Sequence, residues 1–130
     1  YSQSKKTYEK EEIIMEIKAT TPCYKFRDVK PEEQIAKLKE ELAEVEEAYQ
    51  RLKQNPNEYQ KLVDLHMEII DLKACCNTFV FQLRYRYRGV SMSHEFDAPQ
   101  EAIRRVIAKN MTRGYYLFPE DFENLNTNKS

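Results

Sequence analysis

Two acidic clusters placed evenly about one proline constrain this chain more than any other feature. Glu40-Glu41-x-x-Glu44 and Glu68-x-x-Asp71 flank Pro56, and residue 56 is equidistant from Glu41 and Asp71, and from Glu44 and Glu68. Two helices folded back at Asn55-Pro56-Asn57 bring Glu41 level with Asp71 and Glu44 level with Glu68. The apolar residues repeat the message. Leu38, Leu42 and Val45 have counterparts in Leu65, Ile69 and Leu72, and the match extends to Ile35 with Leu62, Tyr49 with Cys76, and Leu52 with Phe79. Spacings of three and four place each set on one helical seam. At about 100° per residue, Glu41 and Glu68 lie about 60° from the seam centre, and Glu44 and Asp71 about 120°. The acids therefore stand at the edge of a helix contact.

Only two glycines and five prolines leave little material for hairpin turns, so the 130 residues predict an all-α antiparallel helical bundle of the four-helix type. The central element is the acidic hairpin. Its first helix starts at Pro31, with Glu32 and Glu33 complementing the dipole, and runs to about Gln54. Asn55 is read as the N-cap of the second, with Pro56 at its first position. No breaker then follows until Gly89. Phe79, Val80, Phe81 and Leu83 exceed what one partner helix covers, which predicts a subunit interface. Asp97-Ala98-Pro99 opens a third core helix with Ile103, Val106 and Ile107 on its face, ending near Met111 with Gly114 behind it.

The flanks carry less. Residues 1–6 are polar and expected to be mobile, and Thr7–Lys18 suits a short helix or a strand. Residues 19–30 read as an irregular connector. The expected organisation is an N-terminal extension over 1–30, a helical domain over 31–115 and a tail over 116–130. The tail's opening Tyr115-Tyr116-Leu117-Phe118-Pro119 is expected to pack and its polar end to stay free.

A net charge of −1 excludes bulk attraction to nucleic acid. No apolar run approaches the roughly 18 residues that span a membrane, and no secretory apolar segment opens the chain. Cys23, Cys75 and Cys76 have no metal-type spacing. Cys76 falls on the seam as a packing residue, and reduced cysteines fit a cytoplasmic location. Arg84-Tyr85-Arg86-Tyr87-Arg88 is read as a helix end, its arginines favouring the negative pole of the dipole, and phosphate contact by one of them stays open.

Four carboxylates gathered at a half-buried seam repel one another, at a cost of several kcal/mol or by forced protonation. A hard divalent cation removes the conflict, because Mg²⁺ and Mn²⁺ take oxygen ligands. Di-iron bundles of the Glu-x-x-His type do not fit: the residue three after Glu68 is Asp71, and no Glu-x-x-His occurs in the chain.

The order E-E-x-x-E, a gap, then E-x-x-D resembles the signature of the all-α nucleoside triphosphate pyrophosphohydrolases, the MazG-like superfamily. Lys37-Leu38-x-Glu40-Glu41-Leu42-x-Glu44, Asp64-Leu65 before Glu68, and Lys109-Asn110-x-x-Arg113-Gly114-Tyr115 are similar in context. The resemblance covers residues 31–115. It implies a Mg²⁺-dependent enzyme, with Mn²⁺ a possible substitute, that splits a (d)NTP between the α and β phosphates. Glu41, Glu44, Glu68 and Asp71 would hold the metal, and Glu40 or Glu44 would orient or deprotonate water. Lys109, Asn110 and Arg113 would bind substrate. The resemblance also implies a homodimer or homotetramer. Two alternatives stay open: a noncatalytic nucleotide-binding or scaffold bundle, and a phosphoribosyl-ATP pyrophosphohydrolase.

Overall fold

The computed structural model describes residues 2–116, and within them the chain is all-α with no strand. The packing expected of Leu117–Pro119 and the free polar end lie outside the described residues. Five helices follow in order: α1 (Ser2–Ala19), α2 (Pro31–Gln54), α3 (Tyr59–Arg86), α4 (Arg88–Ser91) and α5 (Ala98–Thr112). One compact unit ends at Tyr87 and a second begins at Arg88, so the expected boundaries at residues 30 and 115 fall inside these units.

The antiparallel pair of α2 and α3 is the body of the first unit. Helix α2 starts where the sequence places it. Lys30 is extended, Pro31 occupies the first turn where its missing N–H costs nothing, and Glu32 and Glu33 face the positive pole. Its end differs from expectation in detail. Asn55 closes α2 instead of opening α3: its backbone N–H donates to the Arg51 and Leu52 carbonyls, and its Nδ2 donates to the Arg51 carbonyl at 3.1 Å. Pro56 keeps Asn55 out of the helical region, which suits either role, and the bonds to Arg51 and Leu52 are what tie Asn55 to α2. The reversal therefore needs residues 55–58, and α3 opens at Tyr59 after an extended Glu58.

A larger difference concerns which face of α2 meets α3. Gln34, Glu41 and Ala48 are buried at seven-residue spacing, Ala48 to 1 % exposure. Ile35, Leu42 and Tyr49, one position later at the same spacing, stay 42 %, 48 % and 49 % exposed. Leu38, Val45 and Leu52, the other half of the expected seam, stay half-buried, so the centre of the contact is turned by roughly 50° toward the acids. Two sequence expectations fall with it: Tyr49 is not core but lies under the Lys53 ammonium, and Cys76 is exposed while Cys75 is half-buried. On α3, Leu62, Met67 and Val80 are likewise exposed.

Polar groups fill the upper part of this contact. The Gln82 amide donates to the Phe26 carbonyl at 2.8 Å and to Gln34 Oε1 at 3.0 Å. Gln34 Nε2 in turn donates to the Cys75 carbonyl and thiol, both at 3.2 Å. These bonds, with Cys23 N–H donating to Thr78 Oγ1 and Asn77 donating to the Thr20 carbonyl, pin residues 20–26 onto α3. A short 3-10 turn at Tyr24–Phe26 lets the Tyr24 ring meet Phe81 at 6.0 Å, which covers part of the apolar surplus on α3. Helix α1 starts at Ser2, five residues before the Thr7 expected, and a Glu16–Lys73 ion pair ties it to α3. Its Ile13, Ile14 and Ile17 are exposed. Arg84 and Arg86 do lie in the last turn of α3.

The second unit follows its sequence signals closely. Asp97 and Gln100 form a reciprocal capping box, each side chain accepting from the other's backbone N–H at 3.0 Å. Gly114, at φ 73°, ends α5 in a Schellman turn: the Tyr115 N–H donates to the Asn110 carbonyl and the Gly114 N–H to that of Met111. The packing of α5 departs from expectation: Ile103, Val106 and Ile107, expected to form the face of a core helix, are exposed, and the helix buries no residue.

Gln82→Ala is expected to cost about 1–3 kcal/mol, because it leaves the buried Gln34 Oε1 without its donor and takes one of two donors from the Phe26 carbonyl, which keeps the Val29 N–H. Chemical denaturation of the single and double variants with Gln34→Ala should show the two losses to be strongly non-additive.

Candidate metal centre

Carboxylates meet where the polar contact passes between α2 and α3. One oxygen each from Glu41, Glu44 and Glu68 lies within 4.8 Å of the others. The rotated seam sets their environments apart. Glu41 is 8 % exposed, Glu68 is half-buried, and Glu44 is open to solvent on the flank. A turn of helix separates Glu41 from Glu44, so α2 offers two carboxylates to the single one that α3 supplies.

Two oxygens in this group are buried without a hydrogen-bond partner, Glu41 Oε2 and Glu68 Oε2. A buried acceptor left unpaired costs about 1–3 kcal/mol, and more when charged. The electrostatic consequence appears at Glu44. The charge of Glu41 beside it raises its proton affinity above the usual carboxylate range, and desolvation and the proximity of Glu68 push the same way. One cation of the chain partly answers the charge: Lys37 Nζ lies 3.2 Å from Glu41 Oε1 and 3.5 Å from Glu40 Oε2, and Glu41 in turn raises the Lys37 pKa, chiefly through the hydrogen bond they share.

The residues singled out in the sequence fall into three groups. Glu41, Glu44 and Glu68 are brought together. Asp71 is exposed one turn beyond Glu68, outside the triad, because its position on α3 falls on the flank of the rotated contact. Glu40 is exposed and reaches the group only through Lys37. Lys109, Asn110 and Arg113 belong to the second unit, at the end of α5, where Asn110 Nδ2 donates to the Tyr116 hydroxyl at 2.9 Å and Arg113 lies over the Tyr115 ring at 5.8 Å. Lys37 is the functional candidate that sequence reasoning passed over. Its three- and four-residue spacing from Glu40 and Glu41 was the available signal.

Beside the triad, the irregular connector helps line a cavity of about 330 Å³. Thr21, Cys23, Phe26 and Val29 face Gln34, Lys37, Cys75 and Thr78 across it. Burial there raises the Cys75 thiol pKa, with the Glu41 charge adding to the effect.

No family model, curated protein or solved structure matches the chain. The order and spacing of the acids, and the geometry they adopt, stand by themselves.

The raised Glu44 pKa has a defined sign. A proton held more tightly in the folded state means that stability falls as pH rises from the unfolded value of about 4.5 through the folded one. Glu44→Gln is therefore expected to raise the metal-free melting temperature near neutral pH. The gain should vanish below pH 4, where Glu44 is protonated in both states. A pH series of thermal melts in EDTA measures it.

Proposed function

We propose that the protein is a divalent-metal-dependent nucleoside triphosphate pyrophosphohydrolase, releasing a nucleoside monophosphate and pyrophosphate. The observation that carries the reading is the oxygen triad of Glu41, Glu44 and Glu68, with two buried oxygens lacking partners inside a helix contact. Hard carboxylate donors at that separation suit Mg²⁺ or Mn²⁺ and not a soft metal. The resemblance of the acidic pattern to the MazG-like enzymes supplies the reaction class.

Mg²⁺ bound there would supply Lewis acidity to the phosphate oxygens and lessen the repulsion between an anionic substrate and an acidic site. The chain's own residues do the rest. Water attacks the α phosphorus, the bond to the bridging oxygen of the β phosphate breaks, and pyrophosphate departs. Glu40, exposed, outside the triad and paired with Lys37, is the carboxylate left to accept the water proton. Glu44 is the alternative acceptor, and its raised proton affinity suits that role. The resemblance alone gives Lys109, Asn110 and Arg113 a substrate-binding role; within their own unit, Asn110 Nδ2 donates to the Tyr116 hydroxyl. Asp71 remains an outer member of the acidic set, supported by spacing alone.

The assembly is proposed to be a homo-oligomer, a dimer or tetramer. Ala48 is the only fully buried apolar side chain among the described residues, while Ile35, Leu42 and Tyr49 form an uncovered stripe along α2. A second copy of the same hairpin would complete a four-helix bundle over that stripe. No helix among the described residues is long and apolar enough to cross a membrane. Three unpaired cysteines favour the reducing cytoplasm.

Pyrophosphate release from the eight common NTPs and dNTPs, with Mg²⁺ and with EDTA, tests the activity. Metal-dependent pyrophosphate from at least one is expected, and orthophosphate alone would overturn the bond assignment. Glu41→Gln and Glu68→Gln should each lose most of that release while the far-ultraviolet circular dichroism persists; Asp71→Asn should lose less. For the assembly, Leu42→Glu should shift sedimentation toward the monomer and lower the melting temperature. An unchanged sedimentation coefficient would place the interface elsewhere.

A further inference from the structure

Lys37 is the residue through which the acid triad communicates with the cavity beside it. Its ammonium is 3.2 Å from Glu41 Oε1, and its side chain also lines the cavity bounded by Gln34, Cys75 and Thr78. The side chain is half-exposed and sits between a nine-tenths-buried carboxylate and an open pocket. Glu41 Oε2 is buried with no hydrogen-bond partner, so the lysine satisfies only one of the two oxygens.

We propose that Lys37 is an exchangeable internal cation. In the metal-free site it offsets the charge of Glu41; a divalent ion at the triad displaces it, and the freed ammonium then binds the phosphate chain of a ligand at the cavity mouth. The inference rests on the metal reading and adds a positioning residue to it.

Three features support the exchange over a fixed ion pair. Glu41 cannot serve a divalent cation and an ammonium equally, because the two compete for the same negative charge. A lysine is a flexible point charge on a four-carbon stem, and from α2 it reaches either the acids or the cavity without moving backbone. Its neighbours on the cavity side, Gln34, Cys75 and Thr78, hold no cation. A phosphate arriving there therefore has no nearer positive group among the lining residues. Glu33 also lines that cavity, and its repulsion of phosphate makes a freed lysine the more necessary.

The exchange makes the contribution of Lys37 to anion binding depend on metal, a result that a lysine fixed beside the site does not produce. Calorimetric titrations on the full chain would use Mn²⁺ alone, and then inorganic triphosphate at saturating Mg²⁺ and in EDTA. Removing the competitor with Lys37→Met should tighten Mn²⁺ binding about two- to fivefold, the ordinary strength of a half-exposed ion pair. The same variant should bind triphosphate at least about threefold more weakly with Mg²⁺ and show no such loss in EDTA, and its metal-free melting temperature should fall. Lys37→Arg should restore triphosphate binding toward wild type. An equal loss of triphosphate affinity with and without metal, or no loss with metal, would overturn the exchange and leave the metal reading standing. No Mn²⁺ binding to any of the three proteins would overturn both.

Discussion

Repulsion between carboxylates inside the contact of α2 and α3 is the condition to which the rest of the first unit answers. Glu41 and Glu68 both stand in the contact, where a purely structural chain would place leucine. Such a contact is weak in hydrophobic terms and strained in electrostatic ones. The ammonium of Lys37, the raised proton affinity of Glu44 and the orphaned oxygens are three expressions of the same unmet charge. Proteins keep an unfavourable arrangement of this kind at functional sites, where a ligand is the missing partner.

Stability has to come from elsewhere in the unit. Part comes from the hydrogen bonds that run from Phe26 through Gln82 and Gln34 to Cys75, which tie the connector to both long helices. The same bonds fix one wall of the cavity next to the acids, so the connector joins the support of the fold to the shape of the site. Helix entropy and polar burial alone do not hold a hairpin of this length, and the uncovered stripe of Ile35, Leu42 and Tyr49 is the apolar area left for a second layer.

Much of this was legible from residue order. Pro31 marks the start of α2, Asp97 with Gln100 and Gly114 mark the ends of α5, and the shortage of glycine points to helices; each of these is a local preference that acts within a few residues. The gathering of Glu41, Glu44 and Glu68 was also visible, as spacing about one turn. Asn55 before Pro56 suits the end of one helix and the start of the next equally well by residue type, and only its bonds to the Arg51 and Leu52 carbonyls assign it to α2.

The face of each helix that meets its partner was not legible, and the physical reason is general. Periodicity reveals an apolar stripe but cannot say whether that stripe packs within the chain or is left for another surface. Here hydropathy drew the seam of α2 through Ile35, Leu38, Leu42, Val45, Tyr49 and Leu52, while the tertiary structure turned it, keeping Leu38, Val45 and Leu52 half-buried and replacing the rest with Gln34, Glu41 and Ala48. That turn buries Glu41, leaves Asp71 and Cys76 outside, and puts Lys37 between the acids and a cavity. The sequence by itself determined the helices, their ends and the acids that lie near one another. Only the packing of α2 on α3 decided which of those acids are desolvated, because burial belongs to the pair of surfaces and not to either strip of residues.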